Sequence, residues 1–172
     1  MVNNCKPIND LSAEYVRSLL DYDPETGVFR NKVTRSSGSL VGAVVGCAGN
    51  RGYLKVRINK RTYTLHRLAW LWMTGEWPSG DIDHINVDKL DNRWKNLRLA
   101  NDSQNRANTF ANRNNTSGRK GVSWDKKHKK WHARIMVNGN SIFIGAFLDL
   151  DDAGDAYKET AIMHFGEYAR VA

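Results

Sequence analysis

From Asp83 to Asn105 the chain reads Asp-His-Ile-Asn-Val-Asp-Lys-Leu-Asp-Asn-Arg-Trp-Lys-Asn-Leu-Arg-Leu-Ala-Asn-Asp-Ser-Gln-Asn, and this stretch leaves few folds open. Adjacent side chains on a strand point to opposite faces, so Asp83 and His84 can serve one site only where a strand bends or ends. The polar run Asn86 to Trp94 allows the chain to turn back. Asn96 to Ala100 then reads as a return strand, and Asp102 onward as a helix capped by Asn101 or Asp102. Asn105 falls one turn into that helix, at a position able to face Asp83.

The side chains in this strand-loop-strand-helix unit suit phosphodiester hydrolysis. That reaction needs an activated water, neutralised phosphate charge and a stabilised leaving 3′ oxygen. A divalent metal supplies the last two, and a histidine within reach of the water supplies the first.

The rest of the chain fits a nucleic-acid partner. The 172 residues carry 26 Lys and Arg against 18 Asp and Glu, with six Trp and six Tyr. A basic, aromatic chain points to nucleic acid. At 41% hydrophobic residues it can bury a core. Cys5 and Cys47 form no Cys-x-x-Cys pair, which argues against a thiolate zinc site and a disulfide framework and favours a reducing compartment. Met1 to Asp10 is polar and reads as a frayed tail rather than a signal peptide. The longest apolar run, Leu68 to Met73, is far too short to span a membrane.

Helical spacing of Leu11, Tyr15 and Leu19 predicts a helix from Leu11 to Tyr22, capped by Asp10 or Ser12. A turn at Asp23 to Gly27 and a strand at Val28 to Arg30 follow, then a Gly- and Ser-rich loop from Ser36 to Gly49 with a short strand at Val41 to Val45. Tyr53 to Ile58 alternates, with Leu54, Val56 and Ile58 on one face and Lys55 and Arg57 on the other. Asn59-Lys60 turns it into a return strand from Thr62 to Leu65. This hairpin has one apolar and one basic face. His66 to Met73 reads as a helix ending at Gly75. His66 fits a core or capping role better than catalysis, and Trp70, Trp72 and Trp77 fit the core.

After Asn105 the composition shifts. The segment through Gly118 is rich in Asn and reads as a basic linker able to track a phosphate backbone. Lys120 to Ser123, Trp131 to Val137 and Ser141 to Ile144 read as three strands, with turns at Asp125 to Lys129 and Asn138 to Asn140. A helix from Asp152 to Phe165 follows, capped by Asp151, with Ala153, Ala156, Tyr157, Thr160, Ala161 and His164 on its inner stripe. Residues 116–145 hold seven basic side chains against one acidic, whereas residues 146–172 hold two against six. A helix covering one sheet face leaves the basic face for phosphates. Trp124 suits stacking or backbone contact, and the Lys126 to Lys130 turn suits the duplex edge. His132 reads equally as a phosphate donor or an exposed strand residue.

The residues Asp83-His84, Asn96-Leu97-Arg98 and Gln104-Asn105 resemble the HNH endonuclease family, most closely its phage and intron-encoded homing branch. Asn96 lies twelve residues after His84 and Asn105 nine after Asn96, and His66-Arg67-Leu68 ahead of them also matches that branch. The resemblance implies that His84 is the general base, that Asp83 and Asn105 hold one divalent metal, and that Asn96 orients the loop and the histidine. Asn105 stands where many members have His, and a neutral oxygen donor suits Mg²⁺ or Mn²⁺ better than Zn²⁺.

Lys120-Gly121-Val122, Trp131 to Ile135, Ile144 to Phe147 and the Ala-rich helix resemble a second family. This is the plant ethylene-response-factor type of DNA-binding domain, in the version attached to phage HNH nucleases. Carried over by position, Lys120, Ser123, Lys130, Arg134, Met136, Ser141 and Phe143 would face DNA. Several differ from the Arg, Glu and Trp usual in the plant pattern, so no base preference carries over.

The fold expected is α+β. A supporting region at 1–52 leads into a ββα-metal nuclease core at 53–110, a linker at 111–118, and a three-stranded antiparallel sheet packed on one helix at 119–172. The expected protein is a metal-dependent endonuclease acting on double-stranded DNA in a bacterial host cell, as monomer or dimer, with no membrane or small-molecule partner. The alternative is a DNA-binding regulator with a degenerate nuclease site.

Overall fold

The computed structural model describes residues 9–170; most of the predicted N-terminal tail lies outside them. The chain divides into two compact units, 1–99 and 100–172, so the division falls inside the segment expected to form the nuclease core.

In the first unit, helix α1 spans Ala13–Leu19. Ser12 caps it by accepting from the Tyr15 N–H at 3.1 Å, while Asp10 bonds Tyr63 and Arg61 instead. The helix stops three residues earlier than its spacing suggested, because Leu20–Asp23 is strand β1. Leu20 and Tyr22 are buried while Asp21 and Asp23 are exposed, a two-residue period that overrides the helical one. Strand β1 pairs antiparallel with β2, Val28–Asn31, across a turn whose N–H groups at Glu25 and Thr26 are held by the Asp23 carboxylate. Strands β3, Val44–Val45, and β4, Cys47–Ala48, follow.

The predicted hairpin is β5, Leu54–Ile58, and β6, Arg61–Thr64. Asn59 and Lys60 both take positive φ, at 49° and 66°, as a tight two-residue hairpin turn requires. Val56 and Ile58 are buried, and Arg57 is exposed opposite Thr62. Helix α2, Leu65–Thr74, buries Leu65, Leu68, Ala69 and Leu71 and ends at Gly75, whose φ of 85° carries the chain out. Strand β7, Asp81–His84, pairs with β8, Leu97–Ala100. Phe29, Leu20, Leu65, Leu68 and Leu71 form the centre of the core.

The second unit begins with α3, Asp102–Ala107, closed by a reciprocal capping box between Asn101 and Gln104. Strands β9, Val122–Asp125, β10, Lys130–Val137, and β11, Asn140–Phe147, form an antiparallel sheet with β10 in the middle. A register shift between Ala133 and Arg134 marks a bulge against β11. Helix α4, Leu150–Phe165, covers one face through Ala153, Tyr157, Ala161 and Phe165. Its cap is Asp149 rather than Asp151, accepting from the N–H groups of Asp151 and Asp152. His164 is exposed and Phe165 takes the end of the stripe. Gly121 lets strand and helix meet: a Cβ there would lie 2.2 Å from the Tyr157 ring, at a φ of +71°.

The expected linker is tied down. Asn115 accepts from Ser117 and Gly118 and donates to the Arg119 carbonyl. Lys120 donates to the Ala107 and Thr109 carbonyls at 2.6 and 2.7 Å, and the Arg170 N–H donates to Ala107 at 3.2 Å. The short helix α3 is thus anchored to the sheet unit by its own C-terminus.

Candidate active site

His84 is the last residue of β7. The Val87 N–H donates to its carbonyl at 2.8 Å, with Val87 at a φ of 68°. The strand end that the Asp-His pair requires is therefore present. Asp83 and His84 are only 5% and 4% exposed, so both are oriented by their surroundings. Arg98 on β8 reaches Asp83 through Nε at 2.9 Å and Nη2 at 2.8 Å, both on Oδ2. This near-buried guanidinium balances the carboxylate's charge and fixes its direction.

The loop after His84 is built from successive Asx turns. Asn86, Asp88 and Asp91 each accept from the backbone N–H two residues on. Asn96 staples this loop. Its Oδ1 accepts from the Asn86 N–H at 3.0 Å, and its Nδ2 donates to Asn86 Oδ1 and the Asp91 carbonyl at 2.9 and 2.8 Å. The direct bond to the imidazole comes from Asn92, whose Oδ1 lies 3.2 Å from His84 Nε2.

Asn92 escaped the sequence reading because a polar residue in a polar loop looks solvated. It is 2% exposed. The first 52 residues hold it there: Tyr22 donates to its carbonyl at 2.7 Å, and the Trp94 N–H donates to the Pro24 carbonyl at 2.9 Å. At Gly27, φ +73°, a Cβ would sit 2.5 Å from the Asn92 and Arg93 backbone.

An amide oxygen only accepts, so in the contact with Asn92 the imidazole Nε2 is the donor. Burial pushes the His84 pKa down, and the Asn92 hydrogen bond partly opposes this. The ring is therefore neutral near pH 7, as a base must be. His66 from α2 stands 5.2 Å away, its plane at 79° to that of His84, and Tyr53 packs on His66 at 4.8 Å and on His84 at 5.8 Å. Burial drives the His66 pKa down to about 3. His66 is a core residue, as expected, but its neighbour in the core is the candidate base.

Among the described residues no three His, Cys, Asp or Glu side chains gather into a metal cage. A site of carboxylate and amide oxygens needs no such cage and suits a hard cation. Asn105 stands half-buried on α3 of the second unit.

In the second unit His132, Arg134 and Met136 on β10 pair across with Ser123, Phe143 and Ser141. They occupy the sheet face away from α4. Arg134 lies over the Phe143 ring at 5.2 Å, and His132 stands edge-on to it at 5.3 Å. Lys126, Lys127 and Lys130 are exposed nearby in sequence. Two of the residues expected to meet DNA have partners within this unit. Trp124 pairs with Trp131, rings 4.9 Å apart, on the face that carries α4, because strand alternation separates it from Ser123. Lys120 spends its ammonium on the carbonyls of α3, where a cation offsets the helix dipole; its burial lowers its pKa to about 8. Lys55 and Arg57 lie on the outer face of the first unit's hairpin.

Residues 63–107, from β6 through α3, match the HNH endonuclease family. The chain is also 32% identical over 106 residues to Protein 3.8 of Escherichia phage T7, an alignment spanning 61% of this chain and 87% of that protein. The chain belongs to the Protein 3.8 family and carries an HNH endonuclease domain. No solved structure matches it. The HNH match contains Asp83, His84, Asn92, Asn96 and Asn105, and begins just ahead of His66. No helix among the described residues is long and apolar enough to cross a membrane.

Proposed function

We propose that the chain is a metal-dependent DNA endonuclease of the homing type, working in a bacterial host cell and directed by an ethylene-response-factor-like sheet. The observation that carries the reading is His84: a buried, neutral imidazole at a strand end, its Nε2 committed to Asn92, beside a buried carboxylate held by Arg98. In this reading His84 takes a proton from water, whose oxygen attacks the phosphorus as the 3′ oxygen leaves. Asp83 and Asn105 hold Mg²⁺ or Mn²⁺, which when bound neutralises charge on the phosphate and leaving oxygen. Asn96 keeps the loop closed behind His84. The face bearing Ser123, His132, Arg134, Met136, Ser141 and Phe143, with Lys126, Lys127 and Lys130, binds duplex DNA, and Lys55 and Arg57 add a second basic surface.

The test is incubation of varied duplex DNA, including phage and host genomic DNA, with Mg²⁺, Mn²⁺ or EDTA. Nicking or linearisation that EDTA abolishes is expected. Tight binding with no cleavage under either metal would sink the nuclease reading and leave a DNA-binding regulator.

A further inference from the structure

We propose that His66 is a positioning residue for His84, its ring holding the base's imidazole in a single orientation. This rests on His84 being the base.

The outer torsion of a histidine is soft and roughly two-fold. A half-turn of the ring exchanges each nitrogen with a carbon edge and would take the basic lone pair away from its task. The contact between His84 Nε2 and Asn92 Oδ1, at 3.2 Å, favours one of the two orientations. Two further rings bear on the imidazole. His66 meets it almost perpendicularly, with centroids 5.2 Å apart, and Tyr53 meets it at 5.8 Å while packing on His66 at 4.8 Å. Perpendicular and tilted arrangements at these separations are favourable aromatic geometries.

His66 is itself fixed. It is 7% exposed in the first turn of α2, flanked by the fully buried Leu65 and Leu68. Its Nδ1 has no hydrogen-bond partner among the described residues, and its Nε2 lies a long 3.4 Å from the Thr64 hydroxyl. Packing therefore holds this ring more than hydrogen bonding does, as a wall requires. A neutral wall also leaves room for the positive charge that His84 acquires on taking a proton, and burial keeps His66 neutral.

The proposal separates the ring from its nitrogens. His66→Ala should lower kcat about tenfold with KM for DNA unchanged, the scale of one lost aromatic contact. His66→Phe should restore kcat to within about twofold of the parent. The second readout is the ¹⁵N spectrum of histidine-labelled protein without DNA or metal. His84 should appear as a single Nε2–H tautomer in the parent and in His66→Phe, and as a mixture in His66→Ala. Tyr53→Leu, at a half-exposed site, should blur the tautomer in the same direction and serves if His66→Ala does not fold.

An unchanged His84 spectrum in His66→Ala or Tyr53→Leu would overturn the proposal. So would a His66→Phe as slow as His66→Ala with the His84 tautomer intact, since the nitrogen would then matter rather than the ring. The spectrum stands apart from cleavage: a parent chain that cuts no DNA refutes the nuclease reading, while the tautomer result still decides the positioning role.

Discussion

His84 and Arg134 are both candidates for contact with nucleic acid, yet the fold treats them in opposite ways. His84, Asp83, Asn92 and Asn96 are each 6% exposed or less, and each has hydrogen-bonding partners fixed by the loop or the strands. Around Arg134 the side chains stand open, with Met136 and Phe143 each 50% exposed. Chemistry on one phosphodiester needs a base held in place before the substrate arrives, and burial with paired polar groups provides that. Gripping a duplex needs long side chains that adjust to it, and ordering them in advance would gain little.

His84→Ala should reduce single-turnover cleavage by about 10²–10⁴-fold while changing DNA affinity less than about twofold; if affinity collapsed with the rate, the buried pair would belong to the scaffold. Asn96→Ala strands the Asn86 N–H and the Asp91 carbonyl and should cost about 2–4 kcal/mol in urea unfolding. A loss below about 0.5 kcal/mol would mean that the loop is held by other contacts.

Acid should separate the two regions. His66 is neutral when folded, its pKa moved from 6.5 to about 3, so between those values the unfolded chain binds more protons. Stability should therefore fall as pH drops below about 6.5, by up to about 1.4 kcal/mol per pH unit for this residue. His66→Phe should flatten the decline, which urea midpoints from pH 7 to pH 4 would reveal. The smallest effects belong to the sheet unit. Arg134→Ala should reduce the slope of log affinity against log salt by about 0.9, the share of one phosphate contact. Lys120→Met should leave that slope alone and lower stability by about 1 kcal/mol. A slope change for Lys120 instead would return it to the DNA surface.

Local patterns carried much of this fold into the sequence. The Asn59-Lys60 turn, the stop at Gly75, the alternation along β10 and the cap at Asn101 each depend on a few neighbouring residues, and each is found where it was read. The strand end at His84 was legible too, because an Asp-His pair serving one site demands it. What stayed hidden depends on distant partners. Leu20 to Asp23 carries a helix-like spacing that only pairing with Val28 to Asn31 overrides. Asn92 is brought against His84 through Tyr22 and the close approach of Gly27. Lys120 looks like a DNA contact until the carbonyls of α3 are seen beside its ammonium. Trp124 alternates with Ser123 on β9, so the two point to opposite faces of the sheet, and Trp124 stays 43% exposed against Trp131.

The tether on α3 decides where a chain like this can be cut and rejoined. A natural or engineered exchange of the sheet at residues 111–118 would cut between the Ala107 and Thr109 carbonyls and the Lys120 and Arg170 that bind them. The short helix would then hang from a foreign sheet without its clamp. A seam just after Ala100, beside the division between the two compact units, leaves β8 whole and passes the helix on with its own sheet. A module exchanged there travels as a helix plus sheet and brings its own Asn105 along.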